Sequence, residues 1–376
     1  MIRVLGIVTF KIFPALMGGQ KGVALFYKYL AQHLPVSLAV SMENDTKEAQ
    51  SYGLTAYPVL FPNRRIYANL TRLFELERLV KSSNAQVIIT EHSYPAFIGL
   101  WLKRRTGKPF IIHSHNIEAL RFKQMGRPWW RTYLTYERWI HKQADFNFFI
   151  SEDDRVFALK EFGLKPEKCA VITYGIERES LPDLIEKSTL RKALGLPDSE
   201  LLFLFNGTLD YTPNTKAVKE LVSYLVPQLA NECSPFKIVV TGNRATSELI
   251  NIMEQCPQVL FRGFVNDIDA YYQAADLFIN PITNDSGVKT KVIEALANNC
   301  TVVSFESGAT GISKEVCGDM LQVVANGDYS AFAQKIIEVL KKEKTNTPQS
   351  FYDSYNWDNI AQKAAQYIKT VVQQHG

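Results

Sequence analysis

Lys289, Thr290, Lys291 and Glu294 share one short stretch in which their types and spacing suit phosphate and hydroxyl chemistry. An apolar run, Ala275 to Ile279, reads as a buried strand. A glycine-bearing turn, Asn284 to Gly287, follows it. A helix is expected from Val288 to Asn298, and a second apolar strand from Thr301 to Phe305. Strand, turn, helix and strand make one doubly wound α/β unit. Its turn lies where free backbone N–H groups and the helix dipole attract anions. A loop with two lysines, Lys289 and Lys291, at a helix amino end suits a phosphate, and a carboxylate two turns in, Glu294, suits hydroxyls. Phosphate and hydroxyls together describe a nucleotide or a nucleotide sugar. An ordinary solvated Lys/Glu helix face gives the same pattern.

Helical phase divides the stretch further. Val292, Ile293, Leu296 and Cys300 fall on one face, which should pack on a sheet. Thr290, Lys291, Glu294 and Asn298 fall on the other. Lys289 lies near the apolar face by phase. It is therefore expected to precede the regular helix, with its ammonium turned to the loop.

Two further places carry candidate chemistry. Gly18 and Gly19 follow a first strand, Arg3 to Phe10, and precede a helix from Lys21 to His33. That layout lets a backbone approach a phosphate or sugar closely. It contains neither GxGxxG nor GxxxxGK[ST], and a glycine turn without a ligand fits equally. A strand from Pro109 to Ile112 runs into His113, Ser114, His115, Asn116, Ile117 and Glu118. Residues past the carboxyl end of a parallel strand line a ligand crevice. His115 is expected there as a donor to an anion or a sugar hydroxyl.

Elements able to hold these residues recur along all 376 residues, enough for two domains. Strands are expected at 36–40, 86–90, 145–150 and 170–173, with helices at 72–81 and 95–105 between them. Ser151 should cap a further helix. The segment Glu177 to Glu200, charged and containing Pro182, Gly195 and Pro197, reads as a linker. A second series begins at Leu201. Its first loop carries Gly207, Thr208 and Asn214, and strand 237–241 ends in Gly242 and Asn243. Asp267 and Asp269 have the spacing of a carboxylate pair for a metal, but they precede a helix, where capping is the expected role. The tail from Trp357 to Gln373 has helical period.

Hydrophobic content of 46% and charge of 21% describe a globular chain with a large core. A net charge of +4 fits phosphate ligands and carries no nucleic-acid motif. The five cysteines, at 169, 233, 256, 300 and 317, show no CxxC or Cys/His cluster. Reduced thiols, no structural zinc and a cytoplasmic setting are expected. The amino-terminal apolar run is short and reads as a core strand rather than a signal peptide. Residues 121–143 mix Arg, Lys and Trp, as helices at a membrane interface do. A core helix packing Tyr133, Tyr136 and Ile140 inward, with a solvated basic face, is the reading slightly preferred.

Taken together, Gly18-Gly19, HSHNIE at 113–118, ISEDD at 150–154, VITYGIE at 171–177, NGTLDYTPN at 206–214, FRGFV with AADLFINP, SGVKTKVIEALANNCTVVSFESGATGI and WDNIAQKAAQYI resemble the retaining glycosyltransferases of family 4. The resemblance runs along nearly the whole chain. It implies an α/β protein of the GT-B fold: two Rossmann-like domains facing across a cleft, with a carboxyl-terminal helix crossing back. Residues 1–176 with 356–376 would form the acceptor-side domain, and 177–355 the donor domain. It further implies transfer of a sugar from a nucleoside-diphosphate sugar to a glycan or lipid-linked acceptor, without a metal or other cofactor. That work would take place in the cytoplasm. The Trp/Arg composition of 121–143, not the resemblance, adds the inner face of the cell membrane as a contact, and no nucleic-acid partner is expected. His115 and Glu294 match the family's positions near the transferred sugar and the donor ribose. Gly18, Gly19, Gly207, Thr208, Asn214, Asn243 and Gly287 to Lys291 match the donor site.

Two departures stand out. The Arg and Lys that the family usually places after the first strand of the second domain fall here at Thr208 and Asn214. The first Glu of its paired motif falls at Ser286. Lys289 and Lys291 are expected to supply the missing positive charge. A nucleotide-sugar 2-epimerase of the same fold, or a non-catalytic nucleotide-sugar-binding subunit, are the competing readings.

Overall fold

The computed structural model describes residues 1–15, 18–232, 235–283 and 287–375. Most of the turn at 284–287, including Ser286, lies outside the described residues, as does Cys233. The chain forms two compact units, Met1–Glu177 with Tyr355–Gly376, and Arg178–Ser354.

The first unit is built on seven strands: β1 (Val4–Val8), β2 (Val36–Ser41), β3 (Thr55–Leu60), β4 (Val87–Glu91), β5 (Phe110–Ser114), β6 (Phe146–Phe149) and β7 (Cys169–Val171). They lie in the order β3-β2-β1-β4-β5-β6-β7, and every pairing is parallel. A parallel sheet covered on both faces needs continuous apolar strands; β1, β4, β5 and β6 are buried at every position. Helices Leu73–Ser82, Ala96–Thr106 and Trp130–Gln143 cover one face through Leu76, Ile98, Leu102 and Ile140. On this unit the terminal helix Trp357–His375 packs against helix Gly18–His33, where Nε2 of His33 lies 2.8 Å from Oδ1 of Asp358. The backbone N–H of Trp357 donates to the Ile176 carbonyl at 2.9 Å and that of Ile176 to the Tyr355 carbonyl at 2.7 Å. The tail thus crosses back to the amino-terminal unit.

Among its described residues the second unit has six parallel strands: β8 (Leu201–Asn206), β9 (Phe236–Thr241), β10 (Val259–Gly263), β11 (Leu277–Asn280), β12 (Val302–Phe305) and β13 (Leu321–Val324). Their order is β10-β9-β8-β11-β12-β13. Phe203, Phe205, Ile279, Val303, Phe305 and Phe332 anchor its core. In each sheet the order reverses beside the first strand, between β1 and β4 and between β8 and β11. Ligands of doubly wound folds bind at the carboxyl end of that reversal.

Several expectations change. Gly18 and Gly19 are the first residues of helix Gly18–His33 rather than loop. Residues 121–143 are not one helix: Glu118–Gln124 and Trp130–Gln143 are separated by Gly126, left-handed at φ 69°, and Pro128. The charged segment after 177 is not a free linker. Helix Lys187–Ala193 lies within it, and Arg191 donates to Oδ2 of Asp276 at 2.7 Å and to the Ala274 carbonyl at 3.0 Å. Strands β3 and β13 add sheet edges that the hydrophobic pattern did not single out.

Candidate active site

At the carboxyl end of β8, helix Thr290–Ala297 sends Lys291 back across the sheet. The helix begins two residues later than expected, because Lys289 has extended backbone and acts as its N-cap. Val292, Ile293, Leu296 and Cys300 are buried, as the phase requires. Lys291 therefore faces away from the core layer, and its Nζ donates to the Asn206 carbonyl and to Oδ1 of Asn214, each at 3.0 Å. The ammonium also lies 4.3 Å from the centre of the Phe205 ring, a cation–π contact. It sits at the carboxyl end of β8, one of the two strands beside the reversal of strand order.

The loop around it is held by close backbone packing. Gly207 (φ 155°) and Gly242 (φ 150°) lie so near each other that a Cβ on Gly242 would meet the Gly207 carbonyl oxygen at 1.9 Å. The N–H of Leu209 donates to the Asn243 carbonyl at 2.9 Å, and Nδ2 of Asn214 to the Thr208 carbonyl at 2.9 Å. Lys289 is 8% exposed and its Nζ donates to the Gly287 carbonyl at 2.6 Å. Of the two lysines, Lys291 is the one that reaches Asn214.

Glu294 is half-buried one turn along the same helix. Its charge, after burial, helps push the Tyr272 hydroxyl well above the usual phenol range. That hydroxyl accepts from Nδ2 of Asn206 at 2.8 Å and donates to the Lys291 carbonyl at 3.1 Å. Thr290 and Val288 are half-buried beside it. Asn298, expected on the face toward the cleft or solvent, is 3% exposed. Its Nδ2 donates to Oδ1 of Asp269 at 2.9 Å, and its Oδ1 accepts from Arg178 at 3.1 Å. Asp267 caps its helix by accepting from the Ala270 N–H at 3.1 Å.

In the first unit, three histidines and two glutamates gather at the ends of β4 and β5. Nε2 of His115 donates to Oε2 of Glu91 at 2.6 Å. Nδ1 of His113 lies 3.2 Å from the same oxygen, and its Nε2 3.3 Å from the Ile172 carbonyl. Glu91 has no exposed surface. Burial alone would raise its carboxyl, but the imidazoles of His113 and His115 reverse this and hold it far below the carboxylate range. Burial, with the neighbouring His92, lowers His115 to about 4. At neutral pH His115 is therefore a neutral ring that spends its one N–H on Glu91. Its other nitrogen, Nδ1, carries a lone pair and makes no hydrogen bond among the described residues. The expected donor is thus an acceptor toward a ligand. Glu91, His113 and His115 present ligand atoms within 4.8 Å of one another, a grouping that could hold a metal ion. Here the imidazoles are turned onto the carboxylate itself.

Around this group the chain is over-determined. His92 is left-handed at φ 70°, and its ring lies 4.5 Å from that of His115. Glu118 lies 3.2 Å from Nδ1 of His92 and accepts from Nε of Arg121 at 2.7 Å; burial opposes its charge, but His92 and Arg121 bring it down to about 2. Glu137 reaches in from helix Trp130–Gln143 and accepts from the N–H groups of Glu118 and Ala119, each at 2.9 Å. It caps the helix after HSHNI, and burial raises it to about 7.

The structure thus assembles Gly207, Thr208, Asn214, Asn243, Thr290 and Lys291 around the end of β8, with Glu294 one turn further. Gly287 and Lys289 stand at the helix start, Gly287 left-handed at φ 79°. Gly18, Gly19 and His115 belong to the other unit. Sequence reasoning missed Glu91 and Tyr272, and it noted Asn206 and Gly242 without assigning them to the site. Glu91 ends an apolar strand, as His113 does; that parallel was the available signal.

Comparison with known proteins matches each unit to a glycosyltransferase pattern. The pattern described as Glycosyltransferase Family 4 covers residues 18–180, and that described as Glycosyl transferases group 1 covers 200–342. The chain belongs to the family 4 glycosyltransferases. This family 4 enzyme is 23% identical over 296 residues to an Escherichia coli protein described as UDP-Gal:alpha-D-GlcNAc-diphosphoundecaprenol alpha-1,3-galactosyltransferase, with 77% of this chain and 75% of that one covered. A crystal structure of a glycosyltransferase from Rickettsia africae superposes with a TM-score of 0.76 at 15% identity, covering 99% of both chains. HepE of Anabaena, solved in complex with UDP, gives 0.75 at 17% identity, covering 98% of this chain and all of that one. These likenesses carry the GT-B fold.

Proposed function

We propose that this glycosyltransferase moves a sugar from a nucleoside-diphosphate sugar to a hydroxyl of a glycan or lipid-linked acceptor, with retention at the anomeric carbon, in surface polysaccharide or glycoconjugate synthesis. The observation that carries the reading is Lys291, whose ammonium stands at the end of β8 beside Asn214. The diphosphate would bind there, against Lys291 and the N–H groups at the start of helix Thr290–Ala297. Glu294 would take the ribose hydroxyls. In the amino-terminal unit, Nδ1 of His115 is an acceptor for a substrate hydroxyl. The UDP bound to HepE and the lipid-diphosphate acceptor named for the E. coli relative support these substrate classes.

In the reaction, the bond from the anomeric carbon to the diphosphate oxygen breaks as the acceptor oxygen bonds to that carbon. The acceptor proton passes to the departing phosphate, which leaves on the face that the acceptor enters. The residues named need only hold geometry and stabilise the leaving charge. Loss of one such donor costs roughly 3 kcal/mol. Lys291 in this role makes a divalent cation unnecessary. Residues 121–143 would bring the enzyme to the membrane that carries a lipid-linked acceptor.

The test is an assay of purified protein with a panel of nucleoside-diphosphate sugars and lipid-diphosphate acceptors, read by product mass and anomeric NMR coupling. An α-linked product from an α-linked donor is expected. Release of epimerised free nucleotide sugar, or no turnover of any donor, would overturn the reading.

A further inference from the structure

Helices Leu73–Ser82, Ala96–Thr106 and Trp130–Gln143 form one layer over the amino-terminal sheet, and their inner faces supply its core. Their outer faces should be polar, yet they carry exposed aromatic and apolar side chains. Tyr67 is 78% exposed, Phe74 66%, Leu70 54% and Trp139 45%.

These groups join into a strip. Phe74 packs edge-on against Trp101 at 5.6 Å. Trp101 and Phe97 are four residues apart on one helix and so share a face. Phe97 stacks on Tyr67 at 6.4 Å. The Tyr136 hydroxyl donates to the Ser93 carbonyl just ahead of that helix at 3.1 Å, and the Tyr136 ring lies 6.2 Å from Trp139. The strip therefore extends well beyond 121–143, across three helices and the 3-10 segment Asn63–Arg72.

The segments that carry the strip, with the short helix beside them, are basic. Residues 63–82, 96–106 and 118–143 contain fourteen Lys and Arg against four acids, a balance of +10 in a chain whose total is +4, so the rest sums to −6. Three of those acids, Glu77, Glu118 and Glu137, are buried. Arg65, Arg104, Arg131 and Arg138 are exposed. No helix among the described residues is long and apolar enough to cross a membrane.

We infer that this outer layer is a docking face for an anionic lipid bilayer, with Tyr67, Leu70, Phe74 and Trp139 entering the interface and the surrounding arginines meeting lipid phosphates. Aromatic rings on a basic face favour that boundary, and cations near an anionic surface add to the attraction. Charge complementarity selects the bilayer over a second copy of this chain, whose matching face would present the same exposed arginines. The inference deepens the proposed lipid-linked acceptor but does not need turnover to be tested.

The experiment is co-sedimentation of the full chain with phosphatidylcholine vesicles and with vesicles containing phosphatidylglycerol. Partition into the anionic vesicles, weakened by salt, is expected. Arg104→Glu with Arg131→Glu, and separately Phe74→Ser with Trp139→Ser, should each lower it by about tenfold or more. Circular dichroism and melting curves check that the variants fold. No partition, partition unchanged in either pair, or a concentration-dependent dimer abolished by the aromatic pair would overturn the inference. Vesicle binding by a chain that transfers no sugar would instead fault only the proposed reaction.

Discussion

Nζ of Lys291 lies 3.0 Å from Oδ1 of Asn214. By the resemblance, Asn214 falls where the family usually has a cation, and on the proposed reading Lys291, from a different helix, delivers its charge to that place. Lys291→Ala should lower turnover by about a hundredfold, because one preorganised donor to the leaving diphosphate is lost. Lys289→Ala should cost less, since its ammonium is tied to the Gly287 carbonyl. Steady-state kinetics on both variants separates them; equal losses would refute the distinction.

Relocation of the charge predicts a rescue. Asn214→Lys placed in the Lys291→Ala background should recover part of the lost turnover. In the wild-type background the same substitution sets two cations against each other and should raise the KM for donor or destabilise the unit. A double variant no better than Lys291→Ala would show that position, and not charge alone, decides.

Gly242→Ala should disorder the donor loop. The added methyl would meet the Gly207 carbonyl oxygen at 1.9 Å, and φ of 150° disfavours any side chain there. A loss of about 2–4 kcal/mol is expected, with donor binding abolished at working temperature. Chemical denaturation measures the first and calorimetry the second.

His115 should remain neutral through mildly acidic pH, since burial lowers it to about 4. An acid limb of kcat/KM near pH 6 would then belong to another group. Between about 6.5 and 4 the unfolded chain binds a proton that folded His115 refuses, so this group makes stability fall as pH drops. Glu137 has the opposite sign. Raised to about 7, it keeps a proton in the folded chain that the unfolded chain has released, so its contribution to stability is lost as pH rises from about 4.5 to 7. Glu137→Gln should therefore gain on wild type by about 2 kcal/mol between pH 5 and pH 8. Melting curves at the two pH values test this, and a pH-independent difference would contradict it.

A metal-free reaction predicts that chelation leaves turnover unchanged. Glu91→Gln keeps an acceptor for the His115 N–H and should retain more activity than Glu91→Ala. A chelator-sensitive enzyme restored by one divalent cation would instead give Glu91, His113 and His115 a metal to hold.

Apolar runs bounded by glycine and proline were enough to place the central strands, because strands buried on both faces have no polar alternation to obscure them. The helical phase of 288–298 located its buried face correctly. It could not show that Asn298 closes the helix under Asp269 and Arg178, since those partners are distant in sequence. The edge strand β3 was missed because Thr55, Tyr57 and Pro58 are exposed and its pattern is mixed. The segment after Glu177 looked like a linker because Lys187 and Arg191 read as solvated charge. Their partner, Asp276, lies some ninety residues away. His115 stood out by type and position, whereas its partner Glu91 became visible only when β4 and β5 were paired.

The most direct measurement is isothermal titration calorimetry of nucleoside diphosphates into the wild-type chain and into Lys291→Ala. At least one diphosphate should bind the wild type with measurable heat, and the variant, folded by circular dichroism, should bind it at least about tenfold more weakly. No heat with any nucleoside diphosphate, or equal affinity in the two proteins, would contradict a phosphate grip centred on Lys291.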